Sequence, residues 1–240
     1  WHINMVQATT AWDGTQGEGV VVAIADTGVD CTHPDLSASC VTGWNTSSNN
    51  SDTTDIYGHG TKVAGTAAEI GANGVGSAGV AYKAKIMPMR VTDNSTDGSA
   101  YFSVIANAFT WAADHGAKVA QASYSGCGSA SIQSAGAYLR SKGGVATISA
   151  GNSGTNPGFL QVSSLVCVSA TGSNDARTSW SSYGEYVDVA APGAGIYTTA
   201  RGGGYASVSG TSFSGPLTTG IYALIFAANP ALTPAEADSI

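Results

Sequence analysis

The 240-residue sequence is poor in charge, and the charge that it carries is mostly negative. Only 10% of the residues are charged, and nine Lys and Arg face sixteen Asp and Glu, for a net charge of −7. The basic residues occur singly, which excludes the clustered positive surface that binds nucleic acids. No apolar run approaches the roughly 20 residues that span a membrane, so we expect a soluble domain with no membrane partner.

Cysteine is scarce as well, at four residues. They form no C-x-x-C pair and no histidine cluster accompanies them, so a zinc site is not expected. A short loop containing Pro34 separates Cys31 from Cys40 and favours that pair, which leaves Cys127 with Cys167. Four buried free thiols are the alternative. Disulfides would indicate an oxidising compartment.

Short β-branched runs alternate with Ala-rich stretches that have apolar residues at helical spacing. Several of the runs are apolar almost throughout, which is typical of strands buried on both faces. The alternation predicts a parallel sheet covered by helices, with ligands bound at the carboxyl ends of the strands. No linker or repeat divides the chain, so we expect residues 1–240 to form one domain. The predicted strands are 20–26, 85–91, 118–123, 144–149 and 165–170, and the predicted helices are 60–70, 103–115 and 130–141.

Four polar residues lie at the ends of these elements. Asp26 closes the first strand, Asn152 follows the strand that ends at 149, and His59 opens a helix between two glycines. Ser212 lies at the mouth of an apolar, helix-competent run at 217–228, with Pro216 expected in the first helical turn. Singly, each residue has an ordinary structural interpretation as a cap, a turn residue or a structural histidine. Together they supply a nucleophile, a base, a carboxylate and an oxyanion donor, as serine-dependent peptide cleavage requires.

The motifs around these residues resemble those of a known family. Asp26-Thr27-Gly28, His59-Gly60-Thr61, Ser149-Ala150-Gly151-Asn152 and Gly210-Thr211-Ser212 are similar to the four signatures of the subtilisin-like serine proteases, the subtilase family. Supporting similarities occur at 1–8, 33–36, 79–81, 179–184 and 191–193, in family order over essentially the whole chain. The resemblance implies an α/β fold, a three-layer α/β/α sandwich around a mostly parallel β-sheet, and endopeptidase activity.

The resemblance also implies the role of each polar residue. Ser212 would be the nucleophile that forms an acyl-enzyme, and His59 the general base and then acid. Asp26 would orient and stabilise the imidazole, and the amide of Asn152 with the N–H of Ser212 would form the oxyanion hole. Two alternatives are an inactive binding module on the same fold and a peptide ligase that uses the same triad. The intact triad disfavours the module, and the lack of an insertion large enough for a lid disfavours the ligase.

Substrate contacts are implied by the same resemblance. The edge segment that pairs with the substrate backbone by strand addition would be Gly98, Ser99, Ala100 and Tyr101. One wall of the primary specificity pocket would be Ser123, Tyr124, Ser125 and Gly126, and the other Ala150 and Gly151 beside Asn152. Small residues line both walls and no acidic residue lies at the pocket base. We therefore expect a large uncharged P1 side chain such as Leu, Phe, Tyr or Met.

No cofactor is expected for catalysis, but the resemblance implies a structural Ca²⁺ bound by Asp35, Asn73 and the loop 71–77. Calcium prefers six to eight oxygen ligands, and the residues that often supply another ligand are absent before Trp1, so we expect a weak or incomplete site. The polar stretch 45–55 is interpreted as a solvated surface loop, and a second calcium site at Asp52 and Asp55 is the alternative.

The remaining expectations concern the mature protein. The first residues have neither the basic region nor the apolar core of a signal peptide, so we expect that any such peptide has been removed. Subtilases usually continue beyond the point that corresponds to Ile240, so the C-terminal end is expected to be short or truncated. The low charge, the disulfides and the resemblance together predict a secreted, extracellular, monomeric zymogen-derived protease. Its partners would be protein or peptide substrates and an N-terminal propeptide.

Overall fold

A parallel β-sheet of seven strands organises the chain, and the computed structural model describes residues 1–240. Its strands are β1 (Val21–Asp26), β2 (Trp44–Asn45), β3 (Lys85–Arg90), β4 (Val119–Ala122), β5 (Val145–Ser149), β6 (Val166–Thr171) and β7 (Val189–Pro192). They lie in the order β2-β3-β1-β4-β5-β6-β7, and all neighbouring pairs are parallel. A separate antiparallel hairpin consists of β8 (Ile196–Ala200) and β9 (Gly204–Val208).

Helices cover both faces of this sheet. They are α1 (His2–Met5), α2 (Ala8–Ala11), α3 (His59–Ala68), α4 (Phe102–Asp114), α5 (Ala130–Ser141), α6 (Thr211–Ala228) and α7 (Pro234–Asp238). Side chains of a strand alternate between its faces: Val22 and Ile24 of β1 pack in one core with α3 and α6, and Ala23 and Ala25 pack in the other with α4 and α5. The three-layer α/β/α sandwich is therefore confirmed. None of the helices combines the length and the apolar character needed to cross a membrane.

The predicted strands and helices are confirmed to within two residues at each end. Strands β4, β5 and β6 are buried along their whole length, because helices cover both faces. Such strands have no solvated face, which explains why their sequences do not alternate between apolar and polar residues. The strands that were not predicted are β2, β7 and the hairpin β8–β9, all of which are short or partly exposed.

The start of α6 differs from the prediction. The helix begins at Thr211, so Pro216 lies inside it and not in its first turn. Proline has no N–H to donate to the carbonyl four residues earlier, which here belongs to Ser212. The hydroxyl of Ser123 donates to that carbonyl instead, at 2.8 Å. An interior proline is thus accommodated because a neighbouring strand end supplies the missing donor.

Both favoured disulfides are present. The Cα atoms of Cys31 and Cys40 lie 6.0 Å apart and those of Cys127 and Cys167 lie 6.2 Å apart, within the usual range for bonded cysteines. No cysteine is free, so the alternative of four thiols is wrong. The second disulfide ties the segment that follows Gly126 to β6, the strand between β5 and the edge strand β7.

Candidate active site

The carboxyl ends of β1 and β5 meet the first turns of α3 and α6 at one edge of the sheet. Asp26 is the last residue of β1, His59 the first residue of α3 and Ser212 the second residue of α6. Asn152 lies in the loop after β5. In parallel sheets the carboxyl ends of the strands form the usual binding crevice, so the fold gathers all four candidate residues where ligands bind.

The buried carboxylate of Asp26 faces the imidazole of His59. Nδ1 of His59 lies 2.8 and 3.0 Å from the two carboxylate oxygens, and the N–H of Thr27 donates to Oδ1 at 2.8 Å. A carboxylate accepts only, so Nδ1 carries the proton and Nε2 is left as an acceptor. Asp26 also caps the turn that follows it, as its structural interpretation predicted.

Burial and charge act on His59 in opposite directions. Burial is the largest single influence and lowers the pKa of the imidazole. The charge of Asp26 and its hydrogen bond together outweigh burial, so the pKa of His59 is raised above 6.5. The pair therefore stabilises a protonated imidazole, which is the form that a general base reaches after it has taken a proton.

Ser212 lies beside this pair without a hydrogen bond to it. The ring of the next residue, Phe213, contacts the imidazole of His59 with ring centroids 5.8 Å apart. Contacts between a nucleophile and its base are often long or misaligned without substrate and tighten in the Michaelis complex. The first N–H groups of α6 have no intrahelical partner and form the positive end of the helix dipole. Ser212 is thus placed where developing negative charge is stabilised.

The amide of Asn152 is oriented by Thr211. Its Oδ1 accepts from both the N–H and the hydroxyl of Thr211, each at 2.9 Å. The same hydroxyl accepts from the N–H of Gly151 at 3.2 Å. These contacts use the amide oxygen and leave Nδ2 as the available donor. Nδ2 lies 3.5 Å from the position that a Cβ on Gly210 would occupy, directly before the first turn of α6. Thr211 was not among the site residues predicted from the sequence.

The predicted edge segment and the predicted wall segment are joined to each other. The hydroxyl of Tyr124 donates to the carbonyl of Gly98 at 2.8 Å. Gly98 has φ +70° and lies so close to Tyr57 that a Cβ would approach its ring to 3.0 Å, so this position requires glycine. A cavity of about 230 Å³ lies between this segment and His59. Tyr101, at the end of the segment, is 81% exposed, as a residue that meets substrate can be.

The two predicted walls face each other across a narrow gap. A Cβ on Gly151 would lie 2.8 Å from Oγ of Ser125. Beyond this point the ring of Phe159 packs against Gly128 and edge-on against Tyr186, whose hydroxyl donates to the carbonyl of Ala150 at 2.9 Å. Phe159 and Tyr186 therefore brace both walls. Neither residue was predicted from the sequence, because no motif surrounds either of them.

The calcium candidates Asp35 and Asn73 are brought together. Nδ2 of Asn73 donates to Oδ1 of Asp35 at 2.6 Å, and the hydroxyl of Tyr205 donates to Oδ2 at 2.5 Å. Glu69, which was not predicted, faces the same point, since a Cβ on Gly76 would lie 2.5 Å from Glu69 Oε1 and 2.7 Å from Asp35 Oδ2. Burial raises the pKa of Glu69 to about 7. No three His, Cys, Asp or Glu side chains cluster to hold a metal ion, so amide and carbonyl oxygens would be needed.

The polar stretch 45–55 divides into two environments. Asp52 is 57% exposed and pairs with Arg90 at 2.9 Å, as expected of a surface loop. Asp55 is only 1% exposed, so the interpretation as a solvated residue is wrong there. Its carboxylate oxygens accept hydrogen bonds from Thr27, Tyr57, Gly58 and Thr61.

A larger cavity of about 470 Å³ lies away from these residues. Arg140, Asp188, Tyr222 and Asp238 contribute its polar groups. None of the predicted catalytic or substrate-binding residues lines it. The predicted site residues therefore lie in the crevice at the carboxyl edge of the sheet and not around this cavity.

Comparisons of the sequence with known proteins point to one group. The model of the Subtilase family matches residues 17–240. The chain is 44% identical over 223 residues to thermitase from Thermoactinomyces vulgaris, and the match covers 92% of this chain and 79% of thermitase. It is 40% identical over 219 residues to a thermophilic serine proteinase from Bacillus sp. strain AK1, with 90% of this chain and 54% of that protein covered.

Comparisons of the structure agree with those of the sequence. A cold-adapted subtilisin-like serine proteinase superimposes with a TM-score of 0.83 at 33% identity, over 94% of this chain and 81% of that one. A protease from Pseudoalteromonas arctica superimposes with a TM-score of 0.87 at 33% identity, over 97% of this chain and 84% of that one.

Proposed function

Since this chain belongs to the subtilase family of serine endopeptidases, we propose that Asp26, His59 and Ser212 cleave peptide bonds through an acyl-enzyme. The observation that supports this most directly is the contact of His59 Nδ1 with both oxygens of Asp26, at 2.8 and 3.0 Å, beside the first turn of α6. That contact sets the imidazole tautomer in which Nε2 can accept a proton.

In the first half of the reaction, Nε2 of His59 takes the hydroxyl proton of Ser212 while Oγ attacks the carbonyl carbon of the substrate. The carbonyl oxygen becomes an oxyanion and accepts hydrogen bonds from Nδ2 of Asn152 and the N–H of Ser212. The imidazolium that forms is stabilised by the carboxylate of Asp26, which itself stays ionised.

In the second half, Nε2 of His59 gives its proton to the nitrogen of the leaving amine. The C–N bond breaks and the acyl group remains on Oγ of Ser212. A water molecule then attacks the acyl carbon, with His59 again as the base, and the acid product leaves with the Ser212 hydroxyl restored. One base, His59, thus carries the proton in every step, while Ser212 carries the acyl group and the donors of Asn152 and Ser212 stabilise the oxyanion.

The substrate would lie in the crevice as an added strand along Gly98, Ser99, Ala100 and Tyr101. We propose that its P1 side chain enters between the 123–126 and 150–152 segments. The walls are small or uncharged and are braced by Phe159 and Tyr186, which supports selection of a large uncharged P1 residue.

A structural Ca²⁺ is proposed at Asp35, Asn73 and Glu69, with carbonyls of the loop 71–77 completing the set. The donors are all hard oxygen groups, as calcium requires, and two of them are buried carboxylates that no basic side chain neutralises. When bound, the ion would supply positive charge between these carboxylates and link the loop to the end of α3. It has no part in the reaction.

The domain organisation, location and oligomeric state of the protein are part of the same proposal. Residues 1–240 would act as one peptidase domain, secreted and monomeric, with an N-terminal propeptide as the family resemblance implies. The two disulfides support secretion, since they persist in oxidising compartments.

The test is hydrolysis of succinyl-Ala-Ala-Pro-X-p-nitroanilides by the wild type beside Ser212→Ala and Ser209→Ala. Ser209, three residues before Ser212, has its hydroxyl engaged with the N–H of Gly195, so it controls for the loss of any nearby serine. We expect turnover at X = Phe or Leu, its loss in Ser212→Ala only, and labelling of Ser212 by a fluorophosphonate. A wild type that is neither labelled nor active would contradict the proposal and favour a binding module.

Calcium is tested separately on the inactive Ser212→Ala protein, which cannot digest itself. We expect EDTA to lower its Tm and Ca²⁺, but not Mg²⁺, to restore it. Asp35→Asn in the same background should no longer respond to either treatment. If EDTA and Ca²⁺ leave the Tm of the Ser212→Ala protein unchanged, the ion is excluded.

A further inference from the structure

We infer that Asp55 is a positioning residue of the proposed active site, because its buried carboxylate joins the turn after Asp26 to the first turn of α3, which begins at His59. The inference rests on the proposed function, since it presupposes that Asp26 and His59 react as a pair. Asp55 touches neither the substrate crevice nor the reacting atoms. It would act through the two segments that carry them.

One carboxylate oxygen of Asp55 connects the two catalytic segments directly. Oδ1 accepts from the hydroxyl of Thr27 at 2.7 Å, and Thr27 immediately follows Asp26. The same oxygen accepts from the N–H of Gly58 at 2.7 Å and of Tyr57 at 3.1 Å, just before His59. The Thr27 hydroxyl in turn accepts from the N–H of Gly60 at 3.0 Å. Hydrogen bonds to Asp55 Oδ1 thus link Thr27, which follows Asp26, to the residues just before His59. The Thr27 hydroxyl links the same turn to Gly60, just after His59.

The other oxygen binds the first turn of α3. Oδ2 accepts from the N–H and the hydroxyl of Thr61, at 2.9 and 2.5 Å. The Thr61 hydroxyl accepts in its turn from the N–H of Asp30, in the segment that follows β1. First-turn N–H groups lack partners within their own helix, so Asp55 caps α3 from outside the sequence of the helix.

The backbone around Asp55 is held on both sides, so the carboxylate has a fixed place from which to act. The N–H of Ile56 donates to the carbonyl of Thr27 at 3.1 Å. Arg201, beyond β8, donates from Nη1 to the carbonyl of Asp55 at 2.9 Å. Gly28 lies so close that a Cβ on it would meet the carbonyl oxygen of Thr54 at 2.3 Å.

Only a carboxylate satisfies this set of partners. All five groups that reach the side chain are N–H or O–H donors, three of them backbone N–H groups that cannot accept. In Asp55→Asn the side-chain NH₂ must face at least one of those backbone donors, whichever way the amide is turned. Buried donors without acceptors are costly, so the two segments would separate until water or a new partner is found. A misplacement of about 1 Å between reacting groups can cost roughly 10²-fold in rate.

The test compares Asp55→Asn with Asp52→Asn in the full chain, using succinyl-Ala-Ala-Pro-Phe-p-nitroanilide. Asp52 lies in the same loop, and its substitution removes the same charge from a largely exposed position. We expect kcat to fall at least about ten-fold in Asp55→Asn with KM changed less than about two-fold, and both constants to stay within about two-fold in Asp52→Asn. Fluorophosphonate titration of folded enzyme provides the active-site concentration for each rate.

A pH profile separates positioning from simple loss of folded protein. The charged groups that act on His59 are Asp26, Asp55 and Lys62, and loss of the Asp55 charge should move the acid limb of kcat/KM to lower pH. Loss of folded protein lowers the plateau and leaves the limb in place. An Asp55→Asn enzyme with an unmoved limb, or with kcat within two-fold of wild type, would overturn the inference.

A second pair of variants, both at Thr61, tests the inference if Asp55→Asn does not fold. Thr61→Val removes the hydroxyl that Asp55 and Asp30 share, while Thr61→Ser retains it. We expect kcat to fall several-fold in Thr61→Val and to recover in Thr61→Ser; equal kcat in the two variants would refute the inference. A wild type that is inactive and unlabelled would contradict the proposed function instead, so the two failures are distinguishable.

Discussion

Loss of the Cys127–Cys167 disulfide should destabilise the protein more than loss of Cys31–Cys40. The two bonds close loops of very different length, with sequence separations of 40 and 9 residues. The chain-entropy relation gives about 4 kcal/mol for the long loop and about 3 kcal/mol for the short one at 25 °C. The cross-link acts mainly by restricting the unfolded chain, and the longer loop restricts it more.

Packing adds to the difference in the same direction. Cys127 and Cys167 are buried in the core between the sheet and the α4–α5 layer, whereas Cys31 and Cys40 are only partly buried at the edge of the other core. Replacement of two buried sulfurs by alanine also removes apolar contacts and leaves a small cavity. The unfolding free energies of the two double-alanine variants should therefore differ by more than about 1 kcal/mol.

The assay is equilibrium urea unfolding monitored by tryptophan fluorescence. All variants carry Ser212→Ala, which prevents self-digestion. For a chain of this length each kcal/mol corresponds to about 2–4 °C in Tm, so calorimetry provides an independent check. Equal losses in the two variants, or a larger loss at Cys31–Cys40, would refute the argument from loop length and burial. Serine replacements are avoided because a buried hydroxyl without a partner adds its own cost.

Three further predictions concern the reaction. Asn152→Ala should lower kcat by about 10²–10³-fold with little change in KM, the magnitude known for an oxyanion-hole asparagine of another member of this family; an unchanged kcat would show that Nδ2 does not contact the oxyanion. Thr211→Val removes one of the two donors to Asn152 Oδ1 and should lower kcat by about ten-fold, whereas Thr211→Ser should retain most of it. Because His59 must be neutral to accept a proton and the charge of Asp26 raises its pKa, kcat/KM should rise with pH through a midpoint above 6.5; a midpoint below 6.5 would contradict that pairing.

The central strands could be predicted because their signal is local. The apolar run that ends at Asp26 and the run that ends at Ser149 are each bounded by turn residues, and burial on both faces selects such runs. β7 and the β8–β9 hairpin were missed because they are short and partly exposed, so they leave no continuous apolar pattern. The early start of α6 was missed because Gly215-Pro216 normally interrupts a helix, and only Ser123, far away in sequence, supplies the missing donor.

The sequence by itself determined the α/β class and the chemical groups of the candidate site, because apolar periodicity and motif spacing are local properties of the chain. Tertiary structure decided which groups meet: Asp26 and His59 are 33 positions apart, and Asn152 and Thr211 are 59 apart. It also decided that Asp55, in a stretch with the composition of a solvated loop, is a buried acceptor of hydrogen bonds from the segments that carry Asp26 and His59. Burial and hydrogen-bond partners depend on the path of the whole chain, so residue type alone could not distinguish Asp55 from the exposed Asp52.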